Sequence, residues 1–354
     1  MSEARARLAE TWREFGAREC RDYSPLYQRI CDSVATADDV LDLVLEAPRP
    51  GRQPNVLHAG VHFLLLGGVA HPLGQVYAGR ATDDPGPLFC DLVRSHRSEI
   101  AALLATRRTN TNECGRTAVL VPGLQWIGER FGSPIALLDA GTSAGLNLNL
   151  DRYLLDYGAA GTTGPPDASV RVACELTGPA PIRRQAPRIS GRVGLDRSPV
   201  DLTDGDEARW LLACTWPDTG RLARTEAAIA LTLQHSHELV QGDMVADLGR
   251  AADRLPAEAP LCVMTSWAVA YLSRTDRSAF VDALEALSAT RPVAWLSAEA
   301  PGVVEGVPGA PPSEGHGSIV PSVLGCMLFR QGDCEAHLLG RCHPHGSWLD
   351  WTQA

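Results

Sequence analysis

The spacing of apolar residues predicts a helical N-terminal region. Apolar positions recur at helical spacing in Leu8–Phe15, Val34–Leu45 and Pro85–Arg108, and Val56–Leu66 is apolar enough for a buried core helix. Short loops that contain Pro and Gly separate these segments. We therefore expect helices up to about residue 125.

The pattern then changes to short apolar runs that alternate with helical segments. The predicted strands are Pro134–Ala140, Val170–Glu175, Glu238–Gln241, Leu261–Thr265 and Pro292–Ala298. Strands that alternate with helices predict an α/β fold with a parallel sheet. Two further runs, Ile319–Phe329 and Cys334–Leu339, flank a turn and predict a C-terminal β-hairpin. The expected sheet thus has five parallel strands and a hairpin.

A long segment, 179–225, separates the second and third predicted strands. It is rich in Pro, Arg and Trp and is too long for an ordinary connection. We interpret it as an inserted cap within an α/β core of residues 126–354, which follows the helical region 1–125. Arginine is a natural clamp for a carboxylate or phosphate, so Arg192 is a candidate substrate ligand.

Composition narrows the function classes. The 354 residues carry 42 acidic and 32 basic side chains, a net charge of -10, which argues against nucleic acid or an anionic membrane as partner. All the basic residues are Arg, which excludes a P-loop lysine and Schiff-base chemistry. No pair of the 10 cysteines has C-x-x-C spacing, and no apolar run is long enough for a membrane span or signal peptide. We expect a cytoplasmic protein that acts on a small molecule; the sequence does not indicate its oligomeric state.

The most informative motif is a small-residue turn after the first predicted strand. Asp139 ends that strand, Gly141 and Gly145 allow close approach of backbone to a ligand, and a helix is predicted over Leu146–Tyr157. Three interpretations stay open. The turn holds a cofactor, it is a G-x-S-x-G nucleophile elbow with Ser143 as nucleophile, or its small residues serve packing alone.

The first interpretation rests on a resemblance to S-adenosylmethionine-dependent methyltransferases. In those enzymes an acidic residue and a glycine-rich turn wrap the amino-acid end of the cofactor, and here Ser143 replaces the middle glycine. The resemblance implies that S-adenosylmethionine is the cofactor and that the turn residues Asp139, Gly141, Ser143 and Gly145 hold it. By strand order it also implies roles for residues that end the later strands. These are Glu175 for the ribose, Asp243 and Met244 for the adenine, Thr265 for the methyl donor and Trp267 for the acceptor.

A polar cluster precedes the first strand. It contains Asn110, Asn112, Glu113 and Arg116, whose amides, carboxylate and guanidinium are suited to orienting a small polar substrate. We expect Asn110 and Arg116 to bind substrate and Asn112 and Glu113 to take part in catalysis, with Glu113 deprotonating the acceptor. The alternative is a buried network that joins the helical region to the core.

No metal site is expected. His343 and His345 are separated by one residue, but no third ligand stands at a characteristic spacing. The last strand of a methyltransferase-type sheet runs antiparallel, which predicts that these histidines lie at the edge opposite the cofactor and have a structural role.

Five longer stretches resemble a bacterial family of uncharacterised, methyltransferase-like proteins. They are Thr109–Arg116, Leu138–Tyr153, Arg192–Asp201, Arg209–Asp218 and Gly340–Trp348. The resemblance implies a Rossmann-like, methyltransferase-type sheet and a transferase that methylates a small molecule. Two alternatives remain: a methyltransferase-like protein that binds a metabolite or catalyses a cyclisation or elimination, and a serine hydrolase that uses Ser143.

Overall fold

The chain folds into two compact units. The computed structural model describes residues 2–132, 134–307 and 320–353. The first unit comprises the residues up to Thr111 together with Leu202–Glu226, and the second comprises Asn112–Asp201 and the residues from Ala227 onward. The segment Leu202–Glu226 therefore leaves the second unit to complete the first.

The helical elements agree with the apolar spacing. In the described ranges the α-helices are α1 (Glu3–Phe15), α2 (Pro25–Val34), α3 (Asp38–Glu46), α4 (Pro54–Leu66), α5 (Pro72–Tyr77), α6 (Pro85–Ser95), α7 (Arg97–Thr106), α8 (Thr117–Phe131), α9 (Gly205–Ala213), α10 (Leu222–Gln234), α11 (Leu248–Ala252) and α12 (Arg274–Leu287). The four predicted helical segments are confirmed, although Pro85–Arg108 is two helices because the backbone leaves the helical region at His96. Across the described ranges, every helix is too short or too polar to cross a membrane.

The core of the first unit includes the inserted segment. Trp12, Tyr27 and Phe89 are fully buried in it, and Trp210 of α9 packs in the same cluster. The Trp210 indole donates a hydrogen bond to the carbonyl oxygen of Arg108 over 2.8 Å. Helix α9 begins here because the Asp204 carboxylate accepts hydrogen bonds from the first amides of the helix.

The second unit is built on a large, mostly parallel sheet. The strands are β1 (Ile135–Ala140), β2 (Leu154–Asp156), β3 (Thr162–Thr163), β4 (Arg171–Ala173), β5 (Glu175–Thr177), β6 (Ile189–Asp196), β7 (Glu238–Gln241), β8 (Leu261–Ser266), β9 (Val293–Glu299), β10 (Ser322–Arg330), β11 (Asp333–Cys342) and β12 (Trp348–Trp351). Among the described residues, nine of them form one sheet in the order β5-β12-β11-β10-β9-β8-β1-β6-β7. Strands β7, β6, β1, β8 and β9 are mutually parallel.

The α/β class and the C-terminal hairpin are confirmed, but the sheet is larger than five parallel strands and a hairpin. Strand β10 runs antiparallel to β9, and β11 runs antiparallel to β10. Strands β12 and β5 then extend the sheet beyond the hairpin. Ile319, the first residue of the predicted hairpin, lies outside the described residues.

The second parallel strand is not where the sequence predicted it. The segment Val170–Glu175 supplies β4 of a separate small sheet, β3-β2-β4, and the beginning of β5 at the far edge of the large one. The place beside β1 belongs to β6, which lies within the segment 179–225 expected to be an insertion. A Cβ atom at Gly194 of β6 would stand 2.5 Å from the Thr142 Cγ2 atom, so this strand needs a glycine where it meets the turn after β1.

The helix predicted over Leu146–Tyr157 is also absent. The chain forms a 3-10 helix over Leu146–Arg152 and then strand β2. The connection from β1 to β6 therefore contains the small sheet and β5 rather than a regular crossover helix.

Trp210→Ala is expected to destabilise the first unit by about 3–5 kcal/mol, because the substitution empties a buried aromatic site and leaves the Arg108 carbonyl without its donor. Urea unfolding measures the change. Tyr271→Ala is the matched control, since that ring is 85% exposed and its loss is expected to be neutral. Equal effects of the two substitutions would contradict a structural role for the inserted segment.

Candidate functional site

The carboxyl ends of the parallel strands share one edge of the sheet, which we call the carboxyl edge. From β1 the sheet is extended by β6 and β7 on one side and by β8 and β9 on the other. The strand order therefore reverses between β1 and β8, and open α/β sheets bind ligands in the crevice at such a point.

The glycine-rich turn, residues Asp139–Gly145, lies at this reversal. Its backbone is left-handed at Gly141 (φ +85°), Ser143 (φ +55°) and Gly145 (φ +74°), which is strained for the serine alone. A Cβ atom at Gly141 would lie 2.4 Å from the Ala268 Cβ atom, so the turn packs directly against the segment after β8. Packing thus accounts for this glycine whether or not a ligand binds.

Asp196, at the end of β6, holds the turn. Its Oδ2 atom accepts a hydrogen bond from the Ser143 amide over 2.9 Å, and its Oδ1 atom accepts one from the Ser198 amide over 2.9 Å. Asp196 therefore occupies the position that the methyltransferase resemblance assigned to Glu175. Glu175 does not end the strand beside β1 as expected: it is exposed on β5, paired with Trp348 of β12 at the far edge of the sheet.

Asp139 is buried beneath the turn. Its Oδ2 atom accepts a hydrogen bond from the Thr142 hydroxyl over 3.0 Å. Burial raises the pKa of Asp139 from 3.8 to about 7; the nearby Asp196 carboxylate also raises it, whereas the Thr142 hydrogen bond and the Arg116 charge lower it. This carboxyl is consequently poised to titrate near neutral pH.

Asp243 and Met244 follow β7 on the same edge. The Asp243 Oδ1 atom accepts hydrogen bonds from the amides of Val245 and Ala246. Its Oδ2 atom pairs with the Arg197 guanidinium, and this pair together with the amides holds the pKa of Asp243 below its usual value. Met244 is buried against the turn, its Cε atom 3.7 Å from where a Cβ atom of Gly141 would stand.

The residues that end β8 have structural partners. The Thr265 hydroxyl accepts a hydrogen bond from the Trp295 indole over 3.0 Å, and the half-buried Trp267 donates its indole N–H to the Ser322 hydroxyl over 2.8 Å. Glu299, at the end of β9, was not predicted. Its buried carboxyl accepts hydrogen bonds from the amides of Ala268 and Val269, and burial raises its pKa.

The residues Asn112–Arg116, which we call the bracket segment, contact both the residue after the glycine-rich turn and the end of β8. The Asn112 Oδ1 atom accepts a hydrogen bond from the Leu146 amide over 2.9 Å, directly after the glycine-rich turn. Arg116 donates through Nη1 to the carbonyl oxygen of Ser266 over 3.0 Å and through Nε to that of Pro344 over 2.8 Å. Both side chains therefore position backbone at the carboxyl edge.

One predicted substrate ligand, Arg192, is not brought to this edge. Arg192 lies within β6 and forms a two-pronged ion pair with Asp151, at 2.6 Å for each nitrogen, and a further hydrogen bond to the carbonyl oxygen of Leu148. Arg192 is therefore already paired within the chain, and its role as a substrate clamp stays a prediction. Asn110 belongs to the first unit.

His343–Gly346, which we call the histidine loop, lies at the carboxyl edge rather than the opposite one. Two antiparallel pairings, β9 with β10 and β10 with β11, make β11 parallel to β9, so both strands end at the same edge. The His345 Nδ1 atom is 3.8 Å from the Glu113 Oε2 atom. Within the described residues, no group of three or more His, Cys, Asp or Glu is placed to hold a metal ion.

The chain belongs to the family described as "Uncharacterized protein conserved in bacteria (DUF2332)", whose sequence model matches residues 9–351. This match spans both units. Among curated proteins, none matches the sequence.

Asp139→Asn is expected to stabilise the protein at pH 8. Because the folded-state pKa of about 7 lies above the ordinary 3.8, the folded state loses stability as the pH rises through this range. An asparagine cannot ionise, so the variant does not suffer this loss. Its free energy of unfolding is expected to exceed that of the wild type by on the order of 3 kcal/mol at pH 8 and to equal it near pH 4. Urea unfolding at both pH values measures it. Asp243→Asn is the control, and it is expected to lose stability at pH 8 because the pKa of Asp243 is lowered in the folded state. A loss of stability in Asp139→Asn at pH 8 would refute the raised pKa of Asp139.

Proposed function

We propose that this protein is an S-adenosylmethionine-dependent methyltransferase that acts on a small molecule. The observation that carries the proposal is the order of the strands at the carboxyl edge. Numbered along the chain, the five parallel strands lie in the order 3-2-1-4-5, which is that of doubly wound nucleotide-binding sheets. The glycine-rich turn follows the central first strand, as in the methyltransferases that the sequence resembles.

Asp196 is the residue that we assign to the ribose hydroxyls. A carboxylate offers about four lone pairs. The amides of Ser143 and Ser198 engage one on each oxygen, which leaves one on each oxygen for a hydroxyl donor. The turn, with Asp139 beneath it, would hold the amino-acid end, and Asp243 and Met244 would flank the adenine.

One buried atom near the turn favours a ligand with N–H donors. Asn147 is 3% exposed, and its Oδ1 atom has no hydrogen-bond partner among the residues that the structure describes. An unpaired buried acceptor is costly and calls for a donor. The ammonium group of the cofactor supplies such donors, and its positive charge suits a site with the carboxyl groups of Asp139 and Asp196. The residues present therefore fit the cofactor.

The protein would act mainly by proximity and orientation. When bound, the cofactor supplies an electrophilic methyl group. The chain's own contribution is a fixed arrangement of the carboxyl edge: Asp196 fixes the turn, Glu299 fixes the amides of Ala268 and Val269 beside it, and Arg116 fixes the end of β8.

Calorimetry with S-adenosylmethionine and S-adenosylhomocysteine tests the proposal. We expect micromolar binding to the wild type and at least tenfold weaker binding to Asp196→Asn, because the neutral amide loses a hydroxyl acceptor. Glu175→Gln is the matched control and is expected to bind as the wild type does. If the folded wild-type protein binds neither compound, the methyltransferase proposal fails and a non-methylating protein takes its place.

A second candidate function is serine hydrolysis by Ser143. One observation favours it: the positive φ of Ser143, since nucleophile elbows hold their serine in a strained turn. The 3-10 helix Leu146–Arg152 stands where that motif has an α-helix, which counts against it.

Ser143→Gly separates the two functions. Glycine relieves the strain at φ +55°, so a cofactor turn is expected to bind S-adenosylhomocysteine at least as tightly in the variant as in the wild type. We also expect no labelling of the wild type by a fluorophosphonate probe. Labelling of the wild type that Ser143→Gly abolishes would establish the hydrolase instead.

A further inference from the structure

The histidine loop brings an imidazole to the carboxyl edge beside a buried carboxylate. The Glu113 Oε1 atom accepts a hydrogen bond from the Gly115 amide over 2.8 Å, and the Glu113 Oε2 atom is 3.8 Å from the His345 Nδ1 atom. The Glu113 side chain is 4% exposed, whereas that of His345 is 29% exposed. The carboxylate is thus held in place inside the protein, while the imidazole reaches the surface.

The loop is fixed to the bracket segment by backbone contacts. Gly346 has a φ of +81°, and a Cβ atom there would stand 2.0 Å from the Gly115 carbonyl oxygen, so no other residue fits. Arg116 donates to the Pro344 carbonyl oxygen, and the His345 amide donates to the His343 Nδ1 atom over 3.0 Å. These contacts set the position of the His345 ring relative to Glu113.

The same segment places His345 close to the proposed cofactor site. Asn112 bonds the residue that follows the glycine-rich turn, and Glu113, whose Cα atom is about 3.8 Å further along the chain, contacts His345. At 3.8 Å the Glu113 carboxylate is an ion-pair neighbour of Nδ1 rather than its hydrogen-bond acceptor, and its negative charge favours the protonated imidazole, which assigns proton transfer to Nε2.

We infer that His345 accepts the proton of the methyl acceptor, that Glu113 is the residue that positions it, and that the acceptor is therefore a hydroxyl compound or an ammonium compound. The inference rests on the proposed function. Carboxylates are already deprotonated at neutral pH, and a thiol, with a pKa of about 8.5, ionises far more readily than a hydroxyl or ammonium group, both of which must lose a proton to become nucleophiles. Glu113, expected from the sequence to be the base itself, acts through His345.

The proton and the electron pair of the broken bond each have a defined destination. The O–H or N–H bond of the acceptor breaks, the proton moves to the His345 Nε2 atom, and the electron pair stays on the oxygen or nitrogen that becomes the nucleophile. The imidazolium then returns the proton to water.

The first test measures the imidazole pKa of His345 by NMR in histidine-labelled protein. Charged groups near it include Glu113, Arg116 at the Pro344 carbonyl, and His343, whose ring centre is 5.6 Å away. We expect Glu113→Gln to lower this pKa by about one unit. We also expect a lower pKa with saturating S-adenosylmethionine than with S-adenosylhomocysteine, because only the former places a sulfonium charge nearby.

His337, beside Glu335 on β11, is the control and is expected to show no difference between the two ligands. Binding of both ligands with an unchanged His345 pKa would overturn this inference and leave the proposed function intact. Absence of binding would overturn both.

The second test uses labelled S-adenosylmethionine and a bacterial small-molecule extract. His345→Asn is expected to lower the maximal rate of label transfer at a fixed amount of extract about 100-fold, with the KM for S-adenosylmethionine unchanged, as for loss of a general base. Mass spectrometry is expected to identify an ether or an N-methyl amine as product. A methyl ester or a thioether would overturn the assignment.

Discussion

The guanidinium of Arg116 is the interaction on which the carboxyl edge depends. It binds two carbonyl oxygens, at the end of β8 and in the histidine loop, and its charge also acts on Asp139 and Glu299. Hydrogen bonds from a charged donor are stronger than neutral ones. Burial still raises the pKa of both carboxyl groups, and the Arg116 charge lowers each pKa in part. One side chain thus relates the ends of β1, β8 and β9 to the loop after β11.

The fold was predictable where burial is simple. Strands β1, β8 and β9 are continuous apolar runs covered on both faces, and each was predicted within about two residues. Strand β6 was missed because it contains Arg192 and glycines among its apolar residues. Those residues fit a central strand only through distant partners, Asp151 for the arginine and Thr142 for Gly194. A pattern read over a few neighbouring residues cannot reveal partners that are so distant in the sequence.

The candidate site was likewise predictable only where its residues are adjacent in the sequence. The glycine-rich turn and Asp139 were predictable because strand, acid and turn are adjacent in sequence. Asp196 was not assigned to the cofactor, because its role depends on which strand lies beside β1. The histidine loop was placed at the wrong edge because each reversal of direction moves the next strand end across the sheet, and β10 and β11 make two reversals. Glu299 and Asn147 gave no local signal, since their significance lies in burial.

The division of the first unit has a consequence for biosynthesis. A ribosome delivers the N-terminal helices about ninety residues before Leu202, and α9, which supplies Trp210 to their core, follows only then. During that interval the apolar face that α9 later covers is open to solvent. The nascent helices are therefore prone to misfolding and available for chaperone binding. The helical unit, although first in sequence, can be completed only after the first two central strands of the sheet have been synthesised.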